Sequence, residues 1–171
     1  MKEKDFPIVS VLVAVRNEEN CIVNCLNSLI AQDYPQDRFE VLIGDDQSED
    51  DTANLVSAKI KNRTRFKLLT INRNCGKTKG KANVLAQLAQ EAKGTYFIIT
   101  DADMQLPTNW ISGMVNEITD EIGVVTGCTI PMGSSSLDAL QAIDWIKAQA
   151  QIYLLSKINI PVTSLGNNML V

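Results

Sequence analysis

Thr100-Asp101-Ala102-Asp103 follows directly on the apolar run Tyr96-Phe97-Ile98-Ile99, so two carboxylates stand just past a segment that reads as a buried strand. Where a strand ends and the chain bends, both carboxylates of an Asp-x-Asp can turn toward one point and hold a hard divalent cation that also meets phosphate oxygens. The ordinary alternative is a hydrogen-bonded turn, or the cap of a helix after Pro107. Asp45-Asp46-Gln47-Ser48 closes another apolar run in the same way. There, either carboxylate can accept a hydrogen bond from a nucleobase N–H, or serve as helix cap in competition with Ser48 or Asp50. Gly76-Lys77-Thr78-Lys79-Gly80-Lys81 sets three ammonium groups among glycines ahead of a helical segment at Ala82. That arrangement suits a diphosphate, and its ordinary alternative is a solvated basic loop.

The elements that must position these groups alternate between strand and helix. Ile8 to Val15 is a continuous apolar run of the kind buried in a parallel sheet, and a helix with apolar positions Ile22, Val23, Leu26, Leu29 and Ile30 follows it. Asp33-Tyr34-Pro35 stops that helix. Phe39 to Gly44 predicts the second strand, Thr52 to Ile60 the second helix and Phe66 to Ile71 the third strand. Ala82 to Ala92 predicts a helix, Thr95 to Thr100 a fourth strand, Gly123 to Ile130 a fifth, and Leu137 to Ser156 a last helix capped by Ser135 or Ser136. The order implies an α/β fold, an open and mostly parallel sheet with helices on both faces, whose ligands bind at the carboxyl ends of the strands. One domain accounts for residues 1–171.

Composition removes several chemistries. The chain has no histidine, so neither a Ser-His-Asp nor a Cys-His arrangement can form, and carboxylates must do any acid, base or metal work. Cys21, Cys25, Cys75 and Cys128 show no Cys-x-x-Cys spacing, which argues against zinc and fits a reducing cytoplasm. A net charge of −4 argues against a general nucleic-acid binder, although Lys59 to Lys81 is a basic stretch without an acidic residue. No apolar run approaches the roughly 20 residues that span a bilayer. The turn after the first strand is Arg16-Asn17-Glu18-Glu19, which rules out a Gly-x-Gly-x-x-Gly dinucleotide site. Gly76-Lys77-Thr78 lacks the earlier glycine of a P-loop, since Ile71 stands in its place.

Together, Val9 to Glu19, Glu40 to Asp50, Lys79-Gly80-Lys81-Ala82-Asn83, Asp101-Ala102-Asp103 and the closing Gly166-Asn167-Asn168 resemble, in content and order, the inverting family 2 glycosyltransferases. The resemblance implies a GT-A fold and transfer of a sugar from a nucleotide-sugar donor, UDP-sugar foremost, to an acceptor hydroxyl with inversion. It places Ala14, Arg16, Glu18, Asp45 and Asp46 around the nucleoside, Lys81 near the diphosphate, Asp101 beside the ribose and donor sugar, and Asp103 on the metal. Asp101 and Asp103 are thus the catalytic and metal-binding pair it implies, with Mg²⁺ or Mn²⁺ as cofactor.

In that family the catalytic base belongs to an acidic motif after the Gly-x-Asn strand. Nothing before Val171 matches it, so no base is assigned and residues 1–171 are expected to be the N-terminal, donor-binding part of the domain. A glycan, lipid or other hydroxyl acceptor is implied, as is membrane association at the cytoplasmic face through segments outside this sequence. Two rivals are a sugar nucleotidyltransferase, which would show a glycine-rich loop after the first strand, and a module that binds nucleotide sugar or a partner without chemistry.

Overall fold

The computed structural model describes residues 6–133, 135–158, 160, 162 and 166–171. Its strands are β1 (Val9–Val15), β2 (Phe39–Asp45), β3 (Phe66–Thr70), β4 (Tyr96–Asp101), β5 (Val125–Thr126) and β6 (Asn168–Leu170). Its helices are α1 (Ile22–Ile30), α2 (Thr52–Ile60), α3 (Gly80–Glu91), α4 (Trp110–Asn116) and α5 (Ser136–Lys157). The strands form one sheet in the order β3-β2-β1-β4-β6-β5, with β1, β2, β3 and β4 parallel and β6 antiparallel to both β4 and β5. The chain steps outward from β1 to β2 and β3, then crosses through α3 to pair β4 on the other side of β1.

Alternation along the central strands divides the core into two layers. Val9, Val11, Val13 and Val15 of β1 face α1, α2 and α4 together with Val41 and Ile43, and all six are at most 2% exposed. On the opposite face Leu12 and Leu42 meet Val84 and Leu88 of α3. Gly44 sits under α3, where an added Cβ would come 2.4 Å from Val84 Cγ1. Its register partner Ala14 is also small, so the two let α3 lie close against the sheet and bring its first turn, with Lys81, down to the strand ends.

The strand expected over Gly123 to Ile130 is shorter, with only Val125–Thr126 paired to β6. The reason is a competing set of partners for the backbone. The Thr129 N–H donates to Gln149 Oε1 at 2.8 Å and its carbonyl accepts from Gln149 Nε2 at 2.6 Å, so an α5 side chain takes the groups a ladder would have used. Helix α5 starts on the expected serine: Ser135 and Asp138 form a reciprocal capping box. None of the 22 residues of α5 is buried, and among the described residues no helix is long and apolar enough to cross a membrane.

Candidate functional site at the β1 and β4 strand ends

β1 lies between strands reached from opposite directions, so its carboxyl end and that of β4 flank the point where the strand order reverses. Open α/β sheets form their ligand crevice there. Ala14 is in register with Asp101 on one side and Gly44 on the other, and Val15 with Asp45. Three sequence motifs therefore meet along one edge although they lie far apart in the chain.

The two neighbouring strand-end loops are bound to each other. The Asn17 N–H donates to Ser48 Oγ at 3.0 Å, and Glu49 N–H to Asn17 Oδ1 at 2.8 Å. Glu18 N–H donates to the buried Thr52 hydroxyl at 2.8 Å. Glu19 and Asp50-Asp51 exchange a further pair: Glu19 N–H to Asp50 Oδ2 and Asp51 N–H to Glu19 Oε2. The N-cap of α2 is none of the expected residues but Asp51, whose side chain makes no capping bond; Asp50, one residue earlier, accepts from Thr52 N–H at 3.0 Å. Asp45 is buried and takes both the amide and the hydroxyl of Ser48, the latter at 2.5 Å. Asp46 is only half-buried, with Arg16 Nη1 at 3.8 Å.

On the other side of β1, Lys81 Nζ pairs with Asp101 Oδ1 and donates to the Gly166 carbonyl at 3.3 Å. Asn83, buried at the first turns of α3, holds the preceding loop through bonds with Cys75 N–H and the Arg73 carbonyl. Asp103 is exposed. Glu18 holds its proton more tightly than an ordinary carboxyl, through its own desolvation and then the negative charge of Asp103, Asp101 and Asp50. The strand ends thus carry excess negative charge of hard oxygen donors, a setting that fits Mg²⁺ or Mn²⁺. Among the described residues no cluster of three or more Asp, Glu, Cys or His side chains is placed to hold a metal unaided.

Asp101 and Asp103 also border a cavity of about 780 Å³ that extends away from β2, under α4 and the segment after β5. Ala14, Arg16, Glu18, Asp45, Asp46 and Lys81 lie outside its lining, so the Asp-x-Asp stands between a β1–β2 side and this cavity. Trp110 and Trp145, the only tryptophans of the chain, both line it. Asn168 is 4% exposed at its floor and accepts from Trp110 Nε1 at 2.9 Å, while its amide reaches the Cys128 carbonyl and Thr129 Oγ1. Sequence reasoning did not single out the tryptophans. Their scarcity in a chain without histidine was the one available sign.

The family model "Glycosyl transferase family 2" matches residues 10–170, nearly the whole sequence. The chain belongs to glycosyl transferase family 2. A β-monoglucosyldiacylglycerol synthase of Trichormus variabilis is 33% identical over 109 residues, 64% of this chain and 23% of that protein. Among solved structures, the mannosyltransferase PcManGT of Pyrobaculum calidifontis, in complex with GDP-Man and Mn²⁺, superposes with a TM-score of 0.67 at 29% identity, over 74% of this chain and 36% of that one. TarS of S. aureus, in complex with UDP-GlcNAc, gives 0.57 at 28% identity, over 75% and 35%. The sheet is that of a GT-A glycosyltransferase. The chain spans about a quarter to a third of the length of these relatives.

Thiol chemistry offers a direct check of the packing at the β4 end. Cys25 is buried under the end of β4, its Sγ 3.6 Å from the Asp101 carbonyl. Desolvation first, then Asp103 and Asp101, push its thiol up to about 12. Cys128 is exposed on the cavity wall. Iodoacetamide at pH 8, followed by peptide mass spectrometry, should modify Cys128 and leave Cys25 untouched until the protein is unfolded. Equal labelling of the two would mean that the β4 end is not packed as described.

Proposed function

We propose that this segment is the donor-binding core of an inverting glycosyltransferase that moves a sugar from a nucleotide sugar, UDP-sugar foremost, to an acceptor hydroxyl. One observation carries the reading: at a single switch point the fold assembles a carboxylate facing the β1–β2 side, an ammonium beside Asp101, and a cavity beyond the Asp-x-Asp. In that order they suit a nucleobase, a diphosphate, and a sugar with its acceptor. The nucleotide-sugar complexes of PcManGT and TarS support it.

In this reading Asp46, flanked by Arg16, accepts a hydrogen bond from the nucleobase, and Ala14 and Glu18 border the nucleoside with Asp45 fixed behind them. Lys81 moves its charge from Asp101 to the diphosphate as the donor arrives. Asp101 orients the ribose and donor sugar, and the cavity under Trp110 and Trp145 receives the acceptor, a glycan, lipid or other hydroxyl compound. Asp103 with Asp101 would hold Mg²⁺ or Mn²⁺, which would supply neutralisation of the leaving group's charge. The enzyme would work at the cytoplasmic face of a membrane.

A second reading, donor binding without turnover by these 171 residues, is favoured by the cavity's lining: among the described residues Asp101 and Asp103 are its only carboxylates. The segment alone should then bind a nucleoside diphosphate in Mn²⁺ and transfer sugar poorly or not at all, and full transfer by these 171 residues would overturn this second reading.

The donor reading is tested at Asp46. A hydrogen bond to a charged acceptor is worth about 1.5–3 kcal/mol, so Asp46→Ala should weaken UDP by roughly 10- to 100-fold in calorimetry and pyrophosphate hardly at all. Equal losses for both would reduce Asp46 to a structural role and remove the nucleoside from this side of the site.

A further inference from the structure

We propose that Asn17 and Ser48 are positioning residues for the base-reading carboxylate: they lock the β1 and β2 loops so that Asp46 is set for a nucleobase ring N–H before any donor arrives. The proposal rests on the donor reading above, and it concerns residues outside the motif carboxylates and lysine.

Asp45 and Asp46 are chemically identical neighbours, yet only one can meet a ligand. Both Ser48 donors converge on Asp45, the hydroxyl at 2.5 Å and the amide at 3.3 Å, and burial closes the rest of that side chain. The Ser48 hydroxyl, having donated to Asp45, still has lone pairs, and the Asn17 N–H donates to it at 3.0 Å. Asn17 returns a bond through Oδ1 to the Glu49 amide at 2.8 Å. The link between the loops is therefore reciprocal, Asn17 amide to Ser48 and Glu49 amide to Asn17.

The backbone of the turn is fixed independently. Asp46 N–H donates to the Val15 carbonyl and Ile71 N–H to the Asp45 carbonyl, each at 2.9 Å. Gln47 Nε2 reaches the Ile71 carbonyl at 3.3 Å. Asn17 and Gln47 both sit in the left-handed region, with φ of 56° and 58°, which a non-glycine residue adopts at a cost. Asparagine is among the side chains that tolerate it best. With one such residue in each loop and the flanking amides bonded, the backbone that carries the Asp46 carboxylate is held from both sides. A merely stabilising link would not need to leave one acidic side chain of the pair unsatisfied by Ser48 and directed to a different neighbour, Arg16.

The test uses the chain with Mn²⁺ and the free nucleotides UDP, GDP and CDP, with pyrophosphate as control. Uracil and guanine present a ring N–H to a carboxylate, whereas neutral cytosine presents an acceptor at the matching position. In Asn17→Ala and Ser48→Ala the tighter of UDP and GDP should weaken roughly tenfold. CDP and pyrophosphate should hold within about twofold, so that the preference over CDP collapses, and Glu49 amide exchange in Asn17→Ala should accelerate. Asn17→Asp keeps the acceptor oxygen and Ser48→Thr the hydroxyl, and both should restore the preference. An unchanged preference in Asn17→Ala despite accelerated exchange would overturn the proposal. Loss of preference in Asp46→Ala but not in Asn17→Ala would reject the lock and keep the donor reading; a wild-type chain that binds all three nucleotides equally would reject both.

Discussion

Replacing Asp103 by Asn should abolish Mn²⁺-dependent binding of a nucleoside diphosphate. Asp101 is engaged by Lys81 through Oδ1, whereas Asp103 is exposed at the border of the cavity and, among the described residues, forms no ion pair. Asparagine preserves the shape and one carbonyl oxygen but removes the charge that a hard cation selects. Losing a direct ligand should exceed the roughly 10- to 100-fold effect typical of an outer partner of a metal site. Because the side chain is exposed, stability should stay within about 0.5 kcal/mol of the parent. Calorimetric titration of UDP with Mn²⁺ and again with EDTA decides the matter: an affinity in Mn²⁺ that the substitution leaves unchanged would remove Asp103 from the metal.

A larger effect on stability is expected at Asn168. Asn168→Ala leaves the Trp110 indole N–H without its acceptor and strips donors from Cys128 and Thr129. An orphaned buried donor costs about 1–3 kcal/mol, and with about 2–4 °C per kcal/mol for a chain of this size Tm should fall by roughly 2–12 °C. Asn168→Asp separates the two halves of the role, because it keeps an acceptor for Trp110 but sets a charge toward the Cys128 carbonyl. Its defect should therefore ease as pH falls through the carboxylate range, while that of Asn168→Ala stays constant. A melting shift below 1 °C in Asn168→Ala, on the order of error for a surface change, would contradict the described floor of the cavity.

Much of the fold was readable from the chain because strands buried on both faces are continuous apolar runs, and the first polar residues after each run then mark a strand end by necessity. The runs before Arg16, Asp45 and Asp101 gave the three polar ends directly. The division of labour within Asp45-Asp46 was not readable, since it depends on where the Ser48 hydroxyl points and on Asn17 in the loop beside it. Trp110 and Trp145 stand on separate helices and meet only through the cavity they enclose, so no local pattern joins them. The over-long fifth strand has the same cause: residues 123–130 are apolar enough for a strand, and the contest is decided by a glutamine on a later helix.

The strand order also sets the timing of site assembly. β1 and β2 are close in sequence and can pair early, but β4 reaches β1 only after α2, β3 and α3 have been threaded past. Contacts over such separations carry loop-closure entropy and form slowly. In refolding, helical signal and the β1–β2 pairing should thus precede competence to bind a nucleoside diphosphate, and the lag between them is the interval in which β4 docks and delivers Asp101 and Asp103. Binding of a fluorescent nucleotide, followed in the same stopped-flow experiment as circular dichroism, makes this protein's ligand a clock for the closing of its own sheet.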